Sequence, residues 1–293
     1  MTISNVSIGR RAVLAGGLGL LAAPALAMPI FEDVIAAMEK DLGGRIGVSA
    51  LDTGSGVRLS HRGRERFAMC SSFKWLLATD VLARADRGEL KLDQAIGYSQ
   101  KDLLGAAPVT RAHVGAGALT IEQLCAAAVK YSDNTAANLL LAQIGGPAGL
   151  TRFLRGIGDP VTRLDRTEVA LNSNIPGNRR DTTMPDAMVA TMKRVLLGDV
   201  LKPVSREKLI GWLKDGTTGL GRLRAGLPKD WVAGDKTGTG FNGPSVDNAI
   251  AWPPGRAPIL MAVYVDARNA TYQQREAPHA RIAALIVKEF SGG

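Results

Sequence analysis

A serine and a lysine lie three residues apart within residues 69–77, where an apolar run begins. Because residues i and i+3 share one face of a helix, the Lys74 amine can reach the Ser71 hydroxyl if both lie in the first turn. The free N–H groups and the dipole of a helix N-terminus also stabilise negative charge, which favours an activated serine and the oxyanion that follows. The pair therefore predicts a serine nucleophile with an adjacent base. Taken alone, a serine and a lysine at this spacing are expected by chance in a chain of this length, and both can be ordinary helix residues.

A second motif is Ser132-Asp133-Asn134, at a break between two predicted helices. Ser132 at such a break can pass a proton to a leaving nitrogen, or it can cap a helix that begins at Asp133 or Asn134. The side-chain amide of Asn134 can donate to a substrate carbonyl, with a helix cap as its alternative interpretation.

A third motif is Lys236-Thr237-Gly238, on a strand-like segment that continues to Thr239. Thr237 and Thr239 point to the same face, because side chains alternate along a strand. A cation with two hydroxyl groups along one edge suits a substrate carboxylate, while the bare string also fits the basic end of a strand. A second lysine near Lys74 also favours the neutral amine that a base requires.

In this order, the three motifs and the loop of residues 163–172 resemble the signature of the class A serine β-lactamases. The resemblance extends over essentially the whole mature chain. It implies hydrolysis of the β-lactam amide of penicillins and cephalosporins through a serine acyl-enzyme, and hence antibiotic resistance. It also implies a hydrolase that acts on a small-molecule β-lactam substrate and uses no cofactor.

The resemblance assigns roles to further residues. Glu168 matches the general base that activates water for deacylation, and Asn172 matches the residue that helps to hold this water. The backbone N–H groups of Ser71 and Thr239 match the oxyanion hole. Whether Lys74 or Glu168 is the base for acylation stays open.

Charged residues outside the motifs also match family positions. Arg166 and Asp181 match an ion pair that pins the ends of the loop 163–181. Arg222 matches a carboxylate-binding arginine of some members, whereas Ser245 occupies the position at which other members carry it. A surface helix arginine is the alternative interpretation of Arg222.

Two positions depart from the common family pattern. Val169 replaces the proline that often follows the glutamate, and Ala106 replaces an aromatic wall, which predicts a wider cleft mouth. Carbapenem hydrolysis is a secondary hypothesis from the resemblance, and it rests on Cys70, Arg222 and Thr239.

The sequence has only two cysteines, Cys70 and Cys125. The positions of their disulfide partners in the family hold Gly240 and Ala78, so neither family bridge can form. A bridge between the two cysteines has tight distance limits, and buried free thiols are the expected state.

The predicted elements indicate an α/β fold of the α+β sandwich type. An antiparallel sheet from both ends of the chain is flanked by the terminal helices, and an all-helical domain is inserted between them. The predicted domains are 28–62 plus 217–293, and 63–216 with Ser71, Lys74, Ser132 and the loop 163–181. The predicted elements are helices 31–42, 72–88, 120–130 and 134–144, helices from Pro147, from Pro185 and near Ser205, a hairpin of 45–52 and 57–61, strands 231–237, 248–252 and 259–265, and a last helix 278–290.

Residues 1–27 are predicted to be an export signal. Arg10-Arg11 precedes an almost entirely apolar run of residues 12–25, and Ala25-Leu26-Ala27 forms a small-x-small cleavage site. The paired arginines favour the twin-arginine route, with general secretion as the alternative. The sequence therefore predicts an exported, periplasmic or secreted bacterial protein. No membrane segment is expected in its mature form. The protein is also expected to be a monomer.

Composition excludes several other functions. The net charge of +9 arises from 36 basic and 27 acidic residues that form no long run of one sign, so nucleic-acid binding is not expected. His61, His113 and His279 show no ligand spacing, so no metal site is expected.

Two rival functions use the same nucleophile chemistry. One is a D,D-peptidase, and the other is a penicillin-binding sensor that is acylated but not deacylated. Glu168 with Asn172 favours the hydrolase, because turnover requires a carboxylate that activates water.

Overall fold

The computed structural model describes residues 1–2 and 31–291. Apart from its first two residues, the predicted export signal of residues 1–27 lies outside this part, as do residues 28–30 of the predicted α/β domain. Among the described residues, no helix combines the length and the apolar character that a membrane crossing requires.

Helices and strands are numbered separately along the chain. The helices are α1 Phe31–Leu42, α2 Phe73–Asp86, α3 Pro108–Ala112, α4 Ile121–Lys130, α5 Asn134–Gln143, α6 Gly146–Gly156, α7 Pro185–Leu196, α8 Pro203–Lys214 and α9 Tyr272–Ser291. The strands are β1 Arg45–Asp52, β2 Arg58–His61, β3 Phe67–Ala68, β4 Ala95–Gly97, β5 Ala118–Thr120, β6 Thr182–Thr183, β7 Val232–Thr239, β8 Pro244–Trp252 and β9 Ile259–Asp266.

The main sheet has five strands in the order β2-β1-β9-β8-β7, and every neighbouring pair is antiparallel. Its first two strands come from the start of the described chain and its last three from the end, so the predicted fold class is confirmed. Side chains of β9 alternate between two cores. Leu260 and Tyr264 pack on the helical side of the sheet, whereas Met261 and Val263 pack against α1 and α9.

Helix α2 is buried on nearly all sides. Leu76, Leu77 and Val81 lie in the larger core, and α4, α5, α6 and α8 pack around the helix. It ends before Gly88, whose positive φ of 77° is the left-handed conformation typical of a glycine after a helix. A helix enclosed in this way holds the residues at its N-terminus in a fixed position, and the predicted nucleophile lies there.

Two predicted boundaries were wrong. The last helix begins at Tyr272 and contains Pro278, because Thr271 and Gln274 form reciprocal hydrogen bonds that start the helix six residues earlier. Strand β8 begins at Pro244 rather than at Asn248, since its polar first half pairs with both neighbouring strands.

No local sequence pattern predicts the two small sheets. Strand β3 pairs with β6, and β4 pairs with β5. The first pair attaches the end of the loop 163–181 to the segment that leads to Ser71. The loop, predicted to be irregular, also contains a 3₁₀ turn at Ala170–Ser173.

Asp133 organises the turn that presents Ser132. Its carboxylate accepts hydrogen bonds from the backbone N–H groups of Ala136 (2.9 Å), Val109 (3.0 Å) and Thr110 (2.9 Å). The side chain is fully buried and caps α5, so the alternative interpretation of Ser132 as the cap was wrong.

Replacing Asp133 with alanine is expected to lower the free energy of unfolding by about 3 kcal/mol or more, because several donors lose their acceptor together. Asp133→Asn keeps one carbonyl acceptor and serves as the milder matched variant. Urea unfolding measures both. Values for both variants within about 0.5 kcal/mol of the parent, as for ordinary surface changes, would contradict this account.

Candidate active site

Ser71 lies in a 3₁₀ turn, Cys70–Ser72, that leads directly into α2. The prediction placed it in the first turn of the α-helix, and the structure places it one turn earlier, with Lys74 in the first turn of α2. The Ser72 hydroxyl donates to the Met69 carbonyl (2.8 Å) and closes the turn. The nucleophile candidate therefore lies at the N-terminal end of a buried helix.

Ser71, Lys74 and Glu168 form a triangle of polar contacts. The Lys74 amine donates to the Ser71 hydroxyl at 2.9 Å, and this hydroxyl donates to Oε1 of Glu168 at 3.0 Å. Nζ of Lys74 and Oε1 of Glu168 are themselves 2.9 Å apart, and both side chains are fully buried. The serine proton thus has two basic groups within hydrogen-bond distance.

Four residues surround the Lys74 amine with oxygen atoms. Besides Ser71 and Glu168, the amine contacts the Ser132 carbonyl (2.8 Å), the Ser132 hydroxyl (3.3 Å) and Oδ1 of Asn134 (2.5 Å). Burial lowers the pKa of Lys74, and the charge of Glu168 opposes this shift. Burial, and not the predicted crowding by Lys236, is the largest cause of this shift in the pKa of Lys74.

Lys236 approaches the same hydroxyl from the sheet. Its amine donates to the Ser132 hydroxyl at 3.1 Å and to the Thr237 carbonyl at 2.9 Å. Burial and the nearby charge of Lys74 lower the pKa of Lys236 to about 7. Ser132 therefore links the two lysines, and it has a positive φ of 57°.

Both the oxygen and the nitrogen of the Asn134 side-chain amide form hydrogen bonds. Its oxygen accepts from Lys74, and its nitrogen donates to the Gly105 carbonyl at 2.8 Å. One amide hydrogen remains beyond these two bonds, and Asn134 lines the cleft. The residue follows the cap of α5 rather than acting as the cap.

An ion pair and two backbone hydrogen bonds join the ends of the loop 163–181. Arg166 Nε and Asp181 Oδ2 form an ion pair at 2.6 Å. The other Asp181 oxygen accepts from the backbone N–H groups of Asp165 (2.7 Å) and Arg166 (2.9 Å). Asp181 is fully buried, so this contact is shielded from solvent and from salt.

The centre of the loop is held by two asparagines. Asn172 donates to Oε2 of Glu168 at 2.6 Å. Asn138 accepts from the Glu168 N–H (3.0 Å) and donates to its carbonyl (2.9 Å). Sequence reasoning missed Asn138, since an asparagine inside a helix carries no local signal of a contact 30 residues away. The peptide bond between Glu168 and Val169 is cis.

Arg222 is a buried residue at the edge of the cleft, so its alternative interpretation as a surface helix arginine was wrong. It donates to Glu276 (2.5 Å), to two backbone carbonyls of the sheet and to the hydroxyl of Thr239 (2.5 Å). Ser245 and Glu276 are also hydrogen-bonded, at 2.8 Å, and His279 lies 3.0 Å from the Ser245 hydroxyl. Sequence reasoning missed Glu276.

Strand β7 packs closely against the turn that carries Ser71. A Cβ atom on Gly238 would lie 2.5 Å from the Met69 carbonyl oxygen, so only glycine fits there. This contact brings Thr239 beside the nucleophile, where both residues line one cleft.

The cleft has a volume of about 310 Å³. Its lining residues are Ser71, Ala106, Tyr131, Ser132, Asn134, Asn172, Thr218, Arg222, Thr237, Gly238, Thr239 and Tyr272. Thr237 is hydrogen-bonded to Thr218 at 2.6 Å. Most of the predicted substrate-binding side chains therefore line one space, while Lys74, Glu168 and Lys236 are buried next to it.

The cysteines and histidines do not line this cleft. Cys70 and Cys125 are free and buried, as expected. His61 lies 3.4 Å from Glu39, and His279 is buried in the network with Ser245. In the described part of the chain, no group of three or more histidine, cysteine or acidic side chains could hold a metal ion.

A sequence model of the beta-lactamase enzyme family matches residues 30–290. The chain belongs to this beta-lactamase family. It is 48% identical over 260 residues to the carbapenem-hydrolyzing beta-lactamase KPC of Klebsiella oxytoca, with 88% of each chain covered. It is likewise 48% identical over 251 residues to the beta-lactamase L2 of Stenotrophomonas maltophilia, with 85% of this chain and 82% of L2 covered.

Solved beta-lactamases share its fold. A structure of the class A beta-lactamase of the last common ancestor of Gram-negative bacteria (GNCA4) superposes with a TM-score of 0.87 at 55% identity. The match covers 89% of this chain and 99% of that chain. The predictions of a class A serine β-lactamase, and of a hydrolase, are thereby confirmed.

The charge of Lys74 contributes to the low pKa of Lys236, so replacing Lys74 with methionine is expected to raise the pKa of Lys236 from about 7 toward its usual value of 10.5. The rise is incomplete because burial, the larger cause, remains. NMR titration of labelled lysine side chains measures this pKa. Lys130→Met removes an ion pair with Asp215, neither residue of which lines the cleft, and this control is expected to leave the pKa of Lys236 in place. An unchanged midpoint in the Lys74→Met variant would exclude coupling between the two amines.

Proposed function

We propose that this beta-lactamase hydrolyses the β-lactam amide of penicillins and cephalosporins through an acyl-enzyme on Ser71. The observation that supports this most directly is the position of Glu168. Its carboxylate lies 3.0 Å from the Ser71 hydroxyl, and Asn172 and Asn138 hold it there. A carboxylate at this distance from the serine can act as the general base in the deacylation step that follows acylation.

Acylation begins when the Ser71 hydroxyl oxygen attacks the ring carbonyl carbon. The hydroxyl proton passes to Lys74 or to Glu168, since both lie within hydrogen-bond distance. The carbon–nitrogen bond then breaks, and Ser132 delivers a proton to the ring nitrogen. Lys74 and Lys236 both contact the Ser132 hydroxyl, so either amine can replace the proton that Ser132 gives up.

The developing oxyanion is stabilised by the backbone N–H groups of Ser71 and Thr239. Close packing at Gly238 supports this assignment, because it brings the end of β7 against the turn of Ser71. The position of Ser71 before a buried helix adds the favourable end of a helix dipole.

Deacylation is assigned to Glu168 and a water molecule. The carboxylate takes a proton from the water, whose oxygen attacks the ester carbon, and Ser71 leaves with a proton. Asn172 helps to hold the water and orients the base, as its 2.6 Å contact with Glu168 supports. Arg166 and Asp181 pin the loop and thereby preserve this geometry.

We assign the substrate carboxylate to Lys236, Thr237 and Thr239. Arg222 contributes through its contact with the Thr239 hydroxyl, because most of its N–H groups are already bound to protein acceptors. Asn134 uses its remaining amide hydrogen for the carbonyl of the substrate side chain.

A second candidate activity is carbapenem hydrolysis. Ala106 lines the cleft with a small side chain where many family members have an aromatic one, and Arg222 is hydrogen-bonded to Thr239 at 2.5 Å. One relative that is 48% identical is named a carbapenem-hydrolyzing enzyme. Gly240 lies next to the Cys70 thiol. A Cβ atom at this position would lie 2.7 Å from Sγ of Cys70, so a larger residue would clash with the thiol.

The protein is proposed to act as an exported monomer in the periplasm or outside the cell, in keeping with the paired arginines and the cleavage site of residues 1–27. We also propose the domain division 28–62 plus 217–293, and 63–216. Two separate hydrophobic cores on the two faces of the sheet support this division, and the cleft lies where the parts meet.

Replacing Glu168 with glutamine is expected to slow deacylation by about 100-fold or more, because the amide cannot take a proton from water. Mass spectrometry after mixing with a penicillin is then expected to show a persistent adduct on the protein. Glu65→Gln, an exposed ion-pair variant, is the matched control and shows no lasting adduct.

The rate of adduct formation in the same Glu168→Gln variant distinguishes the two bases. An unchanged rate assigns the acylation base to Lys74, and a parallel loss assigns it to Glu168. Release of the adduct at the parent rate would show that Glu168 is not the base for deacylation. Absence of an adduct both from the variant and, at short mixing times, from the parent would refute Ser71 acylation as a whole.

Replacing Thr239 with alanine is expected to lower kcat/KM for imipenem by roughly tenfold, the loss expected when one hydrogen bond to a charged group is removed. Thr239→Ser keeps the hydroxyl that Arg222 contacts and is expected to stay within about twofold of the parent. Thr239 is exposed, so neither change disturbs the core. Equal losses in both variants would show that the hydroxyl does not take part.

A further inference from the structure

A second cavity lies behind the loop 163–181 and shares no lining residue with the active-site cleft. Its volume is about 340 Å³, whereas one water molecule occupies roughly 30 Å³ in the liquid. Among its lining residues are Arg45, Arg66, Arg179, Thr182, Asp266 and Arg268.

Positive charge is in excess around this cavity. Four arginines and one carboxylate line it, and Asp266 is already bound on both oxygens, by Arg45 (2.8 Å) and by Asn174 (2.8 Å). Arg45 is further paired with Glu65. The charges of Arg66, Arg179 and Arg268 therefore have no counter-charge among the residues that line the cavity.

Arg66 is the most constrained of these three arginines. One of its terminal nitrogens donates to the Val161 carbonyl (3.2 Å) and to the Thr182 hydroxyl (3.0 Å). Its Nε is buried and has no hydrogen-bond partner among the described residues, which is a costly state for a charged donor. Burial lowers the pKa of Arg66, and repulsion from Arg179 lowers it further.

We propose that this cavity binds a divalent oxyanion of the phosphate class, either inorganic phosphate or a phosphomonoester, between Arg66, Arg179 and Arg268. The oxygens of the anion accept from the terminal nitrogen of Arg66 that makes no hydrogen bond within the described residues, and from the guanidinium group of Arg179 at the exposed rim. Planar guanidinium groups favour such oxyanions, and opposite charge removes the repulsion between the arginines.

The three arginines belong to different segments of the chain. Arg66 precedes β3, Arg179 lies in the loop and Arg268 follows β9. An anion that contacts all three joins the outer part of the loop to the sheet. Because the same loop carries Glu168, occupancy is expected to slow hydrogen exchange of the loop amides.

An NMR titration with inorganic phosphate, at constant ionic strength maintained with chloride, tests the binding and needs no β-lactam. We expect saturable shifts of the Gly177 and Thr182 amides. The amides of Gly238 and Thr239 report separately on any anion in the active-site cleft. Shifts confined to those two, or shifts that never saturate, would overturn the proposal.

Two neighbouring arginines provide a matched pair of variants. Arg179→Ala removes a lining residue and is expected to weaken phosphate binding at Gly177 by at least about tenfold. Arg180→Ala removes the same charge from an exposed residue that does not line the cavity, and it is expected to keep the affinity within about twofold. Equal weakening in both variants would show that the loss of affinity comes from general surface charge, and it would contradict the proposed site.

A parallel titration with glycerol 3-phosphate identifies the source of the anion. Tighter binding than that of inorganic phosphate assigns the cavity to a phosphomonoester, and weaker binding assigns it to free phosphate. Failure of both anions to bind refutes the site and leaves the proposed hydrolysis unaffected, because none of these arginines lies in the active-site cleft.

Discussion

The buried amine of Lys74 is the group on which the arrangement of the active site depends. Removing an amine from water is costly, and this one is compensated by oxygens of Ser71, Ser132, Asn134 and Glu168. Those oxygens come from the start of α2, the turn before α5 and the loop 163–181. Because all of them converge on one nitrogen atom, the three segments must be placed together, and the nucleophile is left between two bases.

The loop that carries Glu168 is secured unequally along its length. Its ends are joined by the buried Arg166–Asp181 pair, and its centre is held by Asn138. The outer part is attached instead by exposed contacts, among them Asn174 with the Asn242 carbonyl. Placement of the base therefore relies on buried contacts that salt screens poorly, while the outer part stays open to an added ligand.

Two buried carboxyl groups on β7 and β8 also shape the cleft. Burial raises the pKa of Asp247, and the nearby Asp235 raises it further. Asp247 accepts from the N–H of Leu223, next to Arg222, at 3.1 Å. Arg222 in turn contacts Thr239. Buried groups that do not line the cleft therefore support its edge.

Local patterns in the sequence determined the helices and strands, the order of the motifs and the types of the reacting groups, because helical spacing, alternation and capping act over a few residues. They predicted that Ser71 and Lys74 share a helix start, and family resemblance added Glu168. Only the tertiary structure decided which partners each group has, such as Asn138 for Glu168 and Glu276 for Arg222. Those contacts join residues 30 and 54 positions apart, and their existence depends on how buried surfaces pack rather than on any neighbouring residue.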